Sequence, residues 1–176
     1  MTTLADLDAA IRSPALRTVF TQWQQARGTR LMPAWRDIDP IAIGRHLSKV
    51  WAWRYEAATG IFTGRLAGEE IIATIGTEIR GRTFAECFPA EPASRVEPMY
   101  RRVVEGPNLV RAAGHVYILT GGSGIGERLV LPLAEDGVKA DGILGVTDYR
   151  LKPPEPSALT ARREVTGEEI VYYPLT

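Results

Sequence analysis

The chain has one cysteine, Cys87, and two histidines, His46 and His115, among 176 residues. A lone thiol cannot close an internal disulfide, which excludes the stapled scaffolds of small secreted proteins, and two histidines leave little from which to build a metal centre. No apolar run approaches the roughly 20 residues that a membrane-spanning helix needs, and no signal peptide is visible, so the reading places the chain in the cytoplasm. Charge of one sign is missing as well. The 21 Lys and Arg balance 21 Asp and Glu, which removes the electrostatic footprint of a general nucleic-acid or anionic-membrane binder. The 45% hydrophobic and 24% charged residues are those of an ordinary globular chain, long enough for one domain that buries roughly 70% of its unfolded surface.

Glycine and proline are plentiful and punctuate the chain. Ser13-Pro14 sets an N-cap before the residue best tolerated at a first helical position, and the spacing predicts a helix from Pro14 to Arg27, ended by Gly28. Leu16, Val19, Phe20 and Trp23 form one apolar stripe on it, opposite Arg17, Thr21, Gln24 and Gln25. The stripe needs a partner, either the sheet of the same chain or the same helix in a second copy; in the second case these four residues are a homodimer interface. Leu31 to Arg36 reads as a linker because Pro33 removes a donor. Asp39-Pro40 starts a short helix carrying Ile43 and Leu47. Lys49 to Ala57 and Ile61 to Ala67 then form a hairpin around Thr59-Gly60, with Trp51, Trp53 and Tyr55 on one face of its first strand.

The stretch from Arg65 to Gly81 organises the rest of the chain. Between Gly68 and Gly76 lies a short helix with Glu69 and Glu70 in its first turn and Ile71, Ile72 and Ile75 along one face, and Gly76 stands where a left-handed residue ends a helix. Thr83 and Glu86 match a capping box. A longer helix from Pro92 carries Val96, Met99, Tyr100 and Val103 and stops at Gly106-Pro107. Leu109 to Leu119, Glu127 to Leu133 and Gly142 to Leu151 read as a three-strand antiparallel meander, with turns at Gly121 to Gly124 and at Asp136-Gly137. After a proline-rich spacer, the tail Glu168 to Pro174 is left between a short extra strand and a mobile end, outside the core. The fold class is α+β: a five-stranded antiparallel sheet with short helices on one face and a flanking N-terminal helix. Three stretches result: 1–47 flanking the core, 48–151 the core, and 152–176 spacer and tail.

That order resembles a PAS domain, and more closely the single-domain PAS proteins of alphaproteobacteria. The matching residues are Phe20-Thr-Gln-Trp23 with Arg27-Gly28, Leu31-Met-Pro33 with Arg36-Asp-Ile-Asp39-Pro40, Arg65-Leu-Ala-Gly68, Gly76 through Gly81-Arg82, and Glu127-Arg-Leu-Val-Leu131-Pro-Leu133. The resemblance implies a sheet curled around short helices, an interior that holds a ligand or is filled by side chains, and a signal relayed through the flanking helix. It implies a non-enzymatic sensory module that binds a small ligand or a protein partner and acts in trans. Two other readings stand beside it: a structural adaptor with a filled core, and a small α+β enzyme with an apolar cavity.

No catalytic residue, metal site or cofactor can be named from the residues. Cys87 lies outside the asparagine-cysteine-arginine motif of flavin photosensors, and the longer helix lacks the proximal histidine of haem sensors, so neither cofactor is supported. Gly122 to Gly126 reads as a hairpin turn rather than a phosphate loop, since no helix follows. Asp37 and Asp39 read as helix caps. Arg65 has two readings, pairing with Glu69 or Glu70 and contact with an acidic ligand. Trp53, Tyr100, His115 and Tyr117 join it as pocket-lining candidates, being large side chains with polar tips on the predicted sheet and longer helix.

Overall fold

The computed structural model describes residues 2–119, 122–152 and 169–175. Several of its helices start where side chains take the place of missing backbone acceptors. Thr3 caps α1 (Leu4–Ala10) and Ser13 caps α2 (Pro14–Arg27), the Ser13 hydroxyl accepting from Ala15 N at 3.1 Å. Asp37 accepts from Ala34 N at 3.0 Å and Asp39 from Ile41 N at 2.8 Å, so both act as caps, the second opening α3 (Pro40–Ile43). A 3-10 turn, Gly44–Lys49, leads into β1 (Val50–Glu56), which is followed by β2 (Ile61–Ala67) and α4 (Glu69–Ile75). Gly76 ends α4 at φ 80°, a left-handed conformation that strains a residue bearing a Cβ. At α5 (Phe84–Cys87) the Glu86 carboxylate accepts both the backbone N–H and the hydroxyl of Thr83, at 2.7 and 2.8 Å. The longer helix, α6 (Ala90–Glu105), begins slightly ahead of the expected Pro92 and carries the Arg101–Glu97 pair at 2.8 Å.

β3 (Asn108–Leu119), β4 (Gly122–Leu133), β5 (Gly142–Lys152) and β6 (Glu169–Pro174) complete one sheet in the order β2-β1-β5-β4-β3-β6. Every neighbouring pair is antiparallel. Two features correct the expectation. The sheet has six strands rather than five, because the tail pairs with β3 from Asn108–Pro174 to Ala113–Glu169 and buries Tyr173 and Leu175. Gly122 to Gly126 is strand, not turn. A Cβ at Gly126 would run into the Asp148 carbonyl, so the glycine allows β4 and β5 to approach closely.

The register sorts side chains onto two faces. Glu127 lies opposite Asp148, Leu129 opposite Val146 and Leu131 opposite Leu144 on one face, while Arg128 lies opposite Thr147 on the other. The first face is covered by α2, whose Leu16, Val19, Phe20 and Trp23 are all fully buried. The Trp23 indole N–H also donates to Pro132 O at 2.9 Å. The stripe's partner is therefore the chain's own sheet, and the homodimer interface expected from these four residues is corrected: a second copy cannot reach them. The second face is covered by α5 and α6.

Candidate functional site

Beneath α6, on the second face, aromatic rings fill the interior. Trp51 lies 5.1 Å from Tyr100, Trp53 5.1 Å from Phe84, and Phe84 5.7 Å edge-on to Tyr100. Phe88 lies 4.5 Å from Phe84 and 6.2 Å from Trp53, and Phe62 lies 6.2 Å edge-on from Tyr100. Each such pair is worth about 0.5–1.5 kcal/mol beyond the area it buries. The polar end of Trp51 is satisfied inside, its Nε1–H donating to Thr147 Oγ1 at 2.9 Å. Two of the expected pocket residues, Trp53 and Tyr100, thus meet through Phe84, as packing partners. Tyr55 stands at the edge of this layer, 4.8 Å from Phe62, with its hydroxyl donating to Glu105 Oε1 at 3.0 Å. Partial burial and that carboxylate push its pKa up.

The other candidates lie elsewhere. Arg65 is the bulged residue between the pairs Ala52–Leu66 and Trp53–Gly64, so alternation along β2 does not set its direction. Its guanidinium lies 4.3 Å over the Trp35 ring. Neither expected glutamate holds it: Glu70 accepts from Ser48 Oγ at 2.6 Å and Lys49 Nζ at 3.0 Å, and Glu69 is exposed. His115 falls opposite Ile125 on β3, separated from the ring cluster, with Nδ1 buried and without a partner. Tyr117 pairs with Gly124 through its backbone, and its side chain lies outside the described residues. Cys87 is buried, which pushes its thiol pKa up and away from thiolate chemistry.

A family model described as a PAS domain matches residues 11–148. The chain belongs to the PAS domain family. No curated protein matches the sequence. In this PAS domain the ring cluster occupies the space between the longer helix and the sheet, and the flanking α2 lies on the sheet's other face.

Sequence reasoning missed the polar row that ties this PAS domain's flanking helices to its sheet. Glu127, buried on the α2 face, accepts from Arg111 Nε and Nη2 at 2.8 and 2.5 Å, Ser13 N at 2.6 Å and Arg12 N at 3.1 Å. Its cross-strand neighbour Asp148 accepts from Ser13 Oγ at 2.6 Å and Lys49 Nζ at 2.7 Å, and Lys49 reaches on to Glu70. Burial pushes the Asp148 carboxyl up, but Lys49 and the Ser13 hydroxyl outweigh it and leave the pKa below the ordinary value. Glu70 is lowered by Ser48 and then Lys49; burial lowers Lys49, yet its two carboxylates bring it above its ordinary value. The signal was present in the sequence. An acid two residues before Leu129 and four before Leu131 shares the apolar face of a strand, where a charge must be paired.

Among the described residues no group of three or more His, Cys, Asp and Glu side chains could hold a metal ion, and no helix is long and apolar enough to cross a membrane. A cleft of about 550 Å³ opens at the end of the sheet, lined by Arg36, Tyr55, Ala57, Lys139, Ala140 and three acids, Glu135, Asp136 and Asp141. It meets the edge of the ring cluster at Tyr55 and lies beside the linker that carries Trp35 and Arg36.

Proposed function

We propose that this PAS domain is a non-enzymatic cytoplasmic regulatory module that acts by binding a separate protein, with an interior closed by its own side chains. The observation that carries the reading is the contact chain Trp51–Tyr100–Phe84–Trp53, in which rings pack on rings across the layer between α6 and the sheet. The reading takes the protein-partner branch of the sensory expectation and shares the filled core of the adaptor reading. The enzyme reading has less support. An acid or base poised for catalysis needs a perturbed and available carboxylate or imidazole in a cavity; loss of solvent raises Asp141 in the cleft, but its carboxylate accepts from Glu135 N at 2.9 Å and no histidine stands among the lining residues, while the buried Glu127 is engaged by Arg111 and two backbone amides.

Native mass spectrometry of the purified protein tests the proposal. The expected masses are those of the chain alone or of whole multiples of it. An adduct of a few hundred daltons that survives gentle ionisation and is lost on denaturation would overturn the closed-interior reading.

A further inference from the structure

The family match ends at residue 148, but the sheet continues past it. Within residues 11–148 the strands run β2-β1-β5-β4-β3, so β3 is an edge of the PAS unit, and β6 comes from beyond the match to cover that edge. The opposite edge is closed from inside the unit. There Gly64 N donates to Arg82 O at 2.8 Å, Gly81 N donates to Gly64 O at 2.9 Å, and β2 carries the bulge at Arg65. An edge with open backbone groups accepts a further strand, and at β3 that strand is the chain's own tail.

The tail shows what the edge recognises. Leu175 N donates to Pro107 O at 2.9 Å, and with the pairs Leu109–Tyr173 and Arg111–Val171 this turns the backbone groups of Val171 and Tyr173 toward β3 and those of Ile170 and Tyr172 away from it. The Thr2 hydroxyl, which donates to Tyr172 O at 2.9 Å, meets one of the outward carbonyls. Tyr173 and Leu175 are buried, Arg102 lies 3.9 Å over the Tyr172 ring, and Arg111 Nη1 lies 3.9 Å from the Glu169 carboxylate. The fit is partial. Ile170 is 42% exposed, Glu169 and Pro174 are exposed, and among the described residues β6 pairs with Asn108 to Ala113 of a strand that runs on to Leu119. A segment that pairs along more of β3 gains backbone bonds that the tail does not make.

We infer that the outer edge of β3 is a strand-docking site, that β6 is its internal occupant, and that an extended segment of a partner protein takes the place of β6. That segment carries an aromatic residue at the Tyr173 position, an aliphatic one at Leu175 and an acid facing Arg111. The tail of a second copy is a poorer occupant. It makes the same contacts as the chain's own tail, which is tethered through residues 153–168 and so acts at an effective concentration of order millimolar, and exchange gains it nothing. A longer foreign segment does gain, along the rest of β3. The inference rests on the protein-partner reading but fails separately from it. A small molecule bound in the interior sinks that reading and leaves this edge untouched, whereas failure of the peptide titration leaves the closed interior standing.

The probe is a fluorescein-labelled peptide of the tail itself, residues 166–176, titrated by anisotropy against the full chain. The native chain is expected to bind it weakly, because its own tail holds the edge. Leu175→Ala in the chain loosens that tail and should strengthen binding by about tenfold or more. Circular dichroism checks the fold; if this variant melts, Tyr172→Ala, which removes the ring under Arg102, should still strengthen binding severalfold. Methylating the peptide nitrogen of Val171, which faces β3, should abolish binding, while methylating that of Ile170, which faces outward, should leave it within about threefold. Binding that ignores both methylations, or a loosened chain that takes up no peptide at millimolar concentration, overturns the proposal. So does a native chain that sediments as a dimer and falls to monomer with Leu175→Ala, since a second copy's tail would then fill the edge.

Discussion

Glu127 shows how much one side chain holds in this molecule. Its carboxylate joins Arg111 on β3 to the two backbone amides that precede α2. Replacing it by Gln leaves the Arg111 guanidinium buried beside a neutral amide, and urea unfolding should show a loss of about 3–5 kcal/mol. The neighbouring row sets the acid limb of stability. Glu70 and Asp148 sit below their ordinary values of 4.5 and 3.8 when folded, so the unfolded chain takes up protons first. Their contribution is intact above those ordinary values and lost as pH falls through and below them. Asp148→Asn should flatten this decline, measured as the urea midpoint against pH. Lys49, raised above 10.5, acts at the other end: its contribution is complete below that value and lost above it. At this scale the sequence was legible where the rule is local, as for the caps Ser13, Asp37, Asp39 and the Thr83–Glu86 pair. It was not legible for Arg65, because one extra residue in β2 cancels the alternation that would otherwise set its direction.

Among the elements, α2 was readable to both ends, since its cap, its first proline and its terminal glycine are all encoded within the segment. Its partner was not, because an apolar stripe looks the same whether it faces a sheet or a second copy. With Phe20 fully buried, Phe20→Asp should unfold the chain rather than change its association, costing more than about 4 kcal/mol. Sedimentation of the variant should report an expanded or aggregated species and no compact monomer. β6 was left open between a short strand and a mobile end for the opposite reason: a strand of six residues is marginal alone, and its partner β3 lies some 60 residues earlier. Ending the chain before Glu169 removes Tyr173 and Leu175 from the core and opens the β3 edge. Thermal unfolding of that truncation should show a loss of about 2–4 kcal/mol.

For the whole molecule, fold class and family were legible because turns, caps and period-two runs agree along the chain. The state of the interior was not, because ring-on-ring contact depends on how Phe84, Phe88 and Tyr100 meet β1, and no local pattern encodes it. The cluster should behave as core. Phe84→Ala is expected to cost about 3–5 kcal/mol by leaving a cavity among the remaining rings, read from chemical denaturation.

The strand order has a last consequence, for the path by which the chain acquires its shape. β1 is made early but closes on β5, whose residues come some 90 positions later, and β5 is itself seated between β1 and β4. On an elongating chain the first hairpin must wait, with the β1 edge unpaired, until residues 142–146 have emerged. Long-range pairing of this kind places folding in the millisecond-to-second regime and makes that waiting interval the moment at which this protein is most open to aggregation.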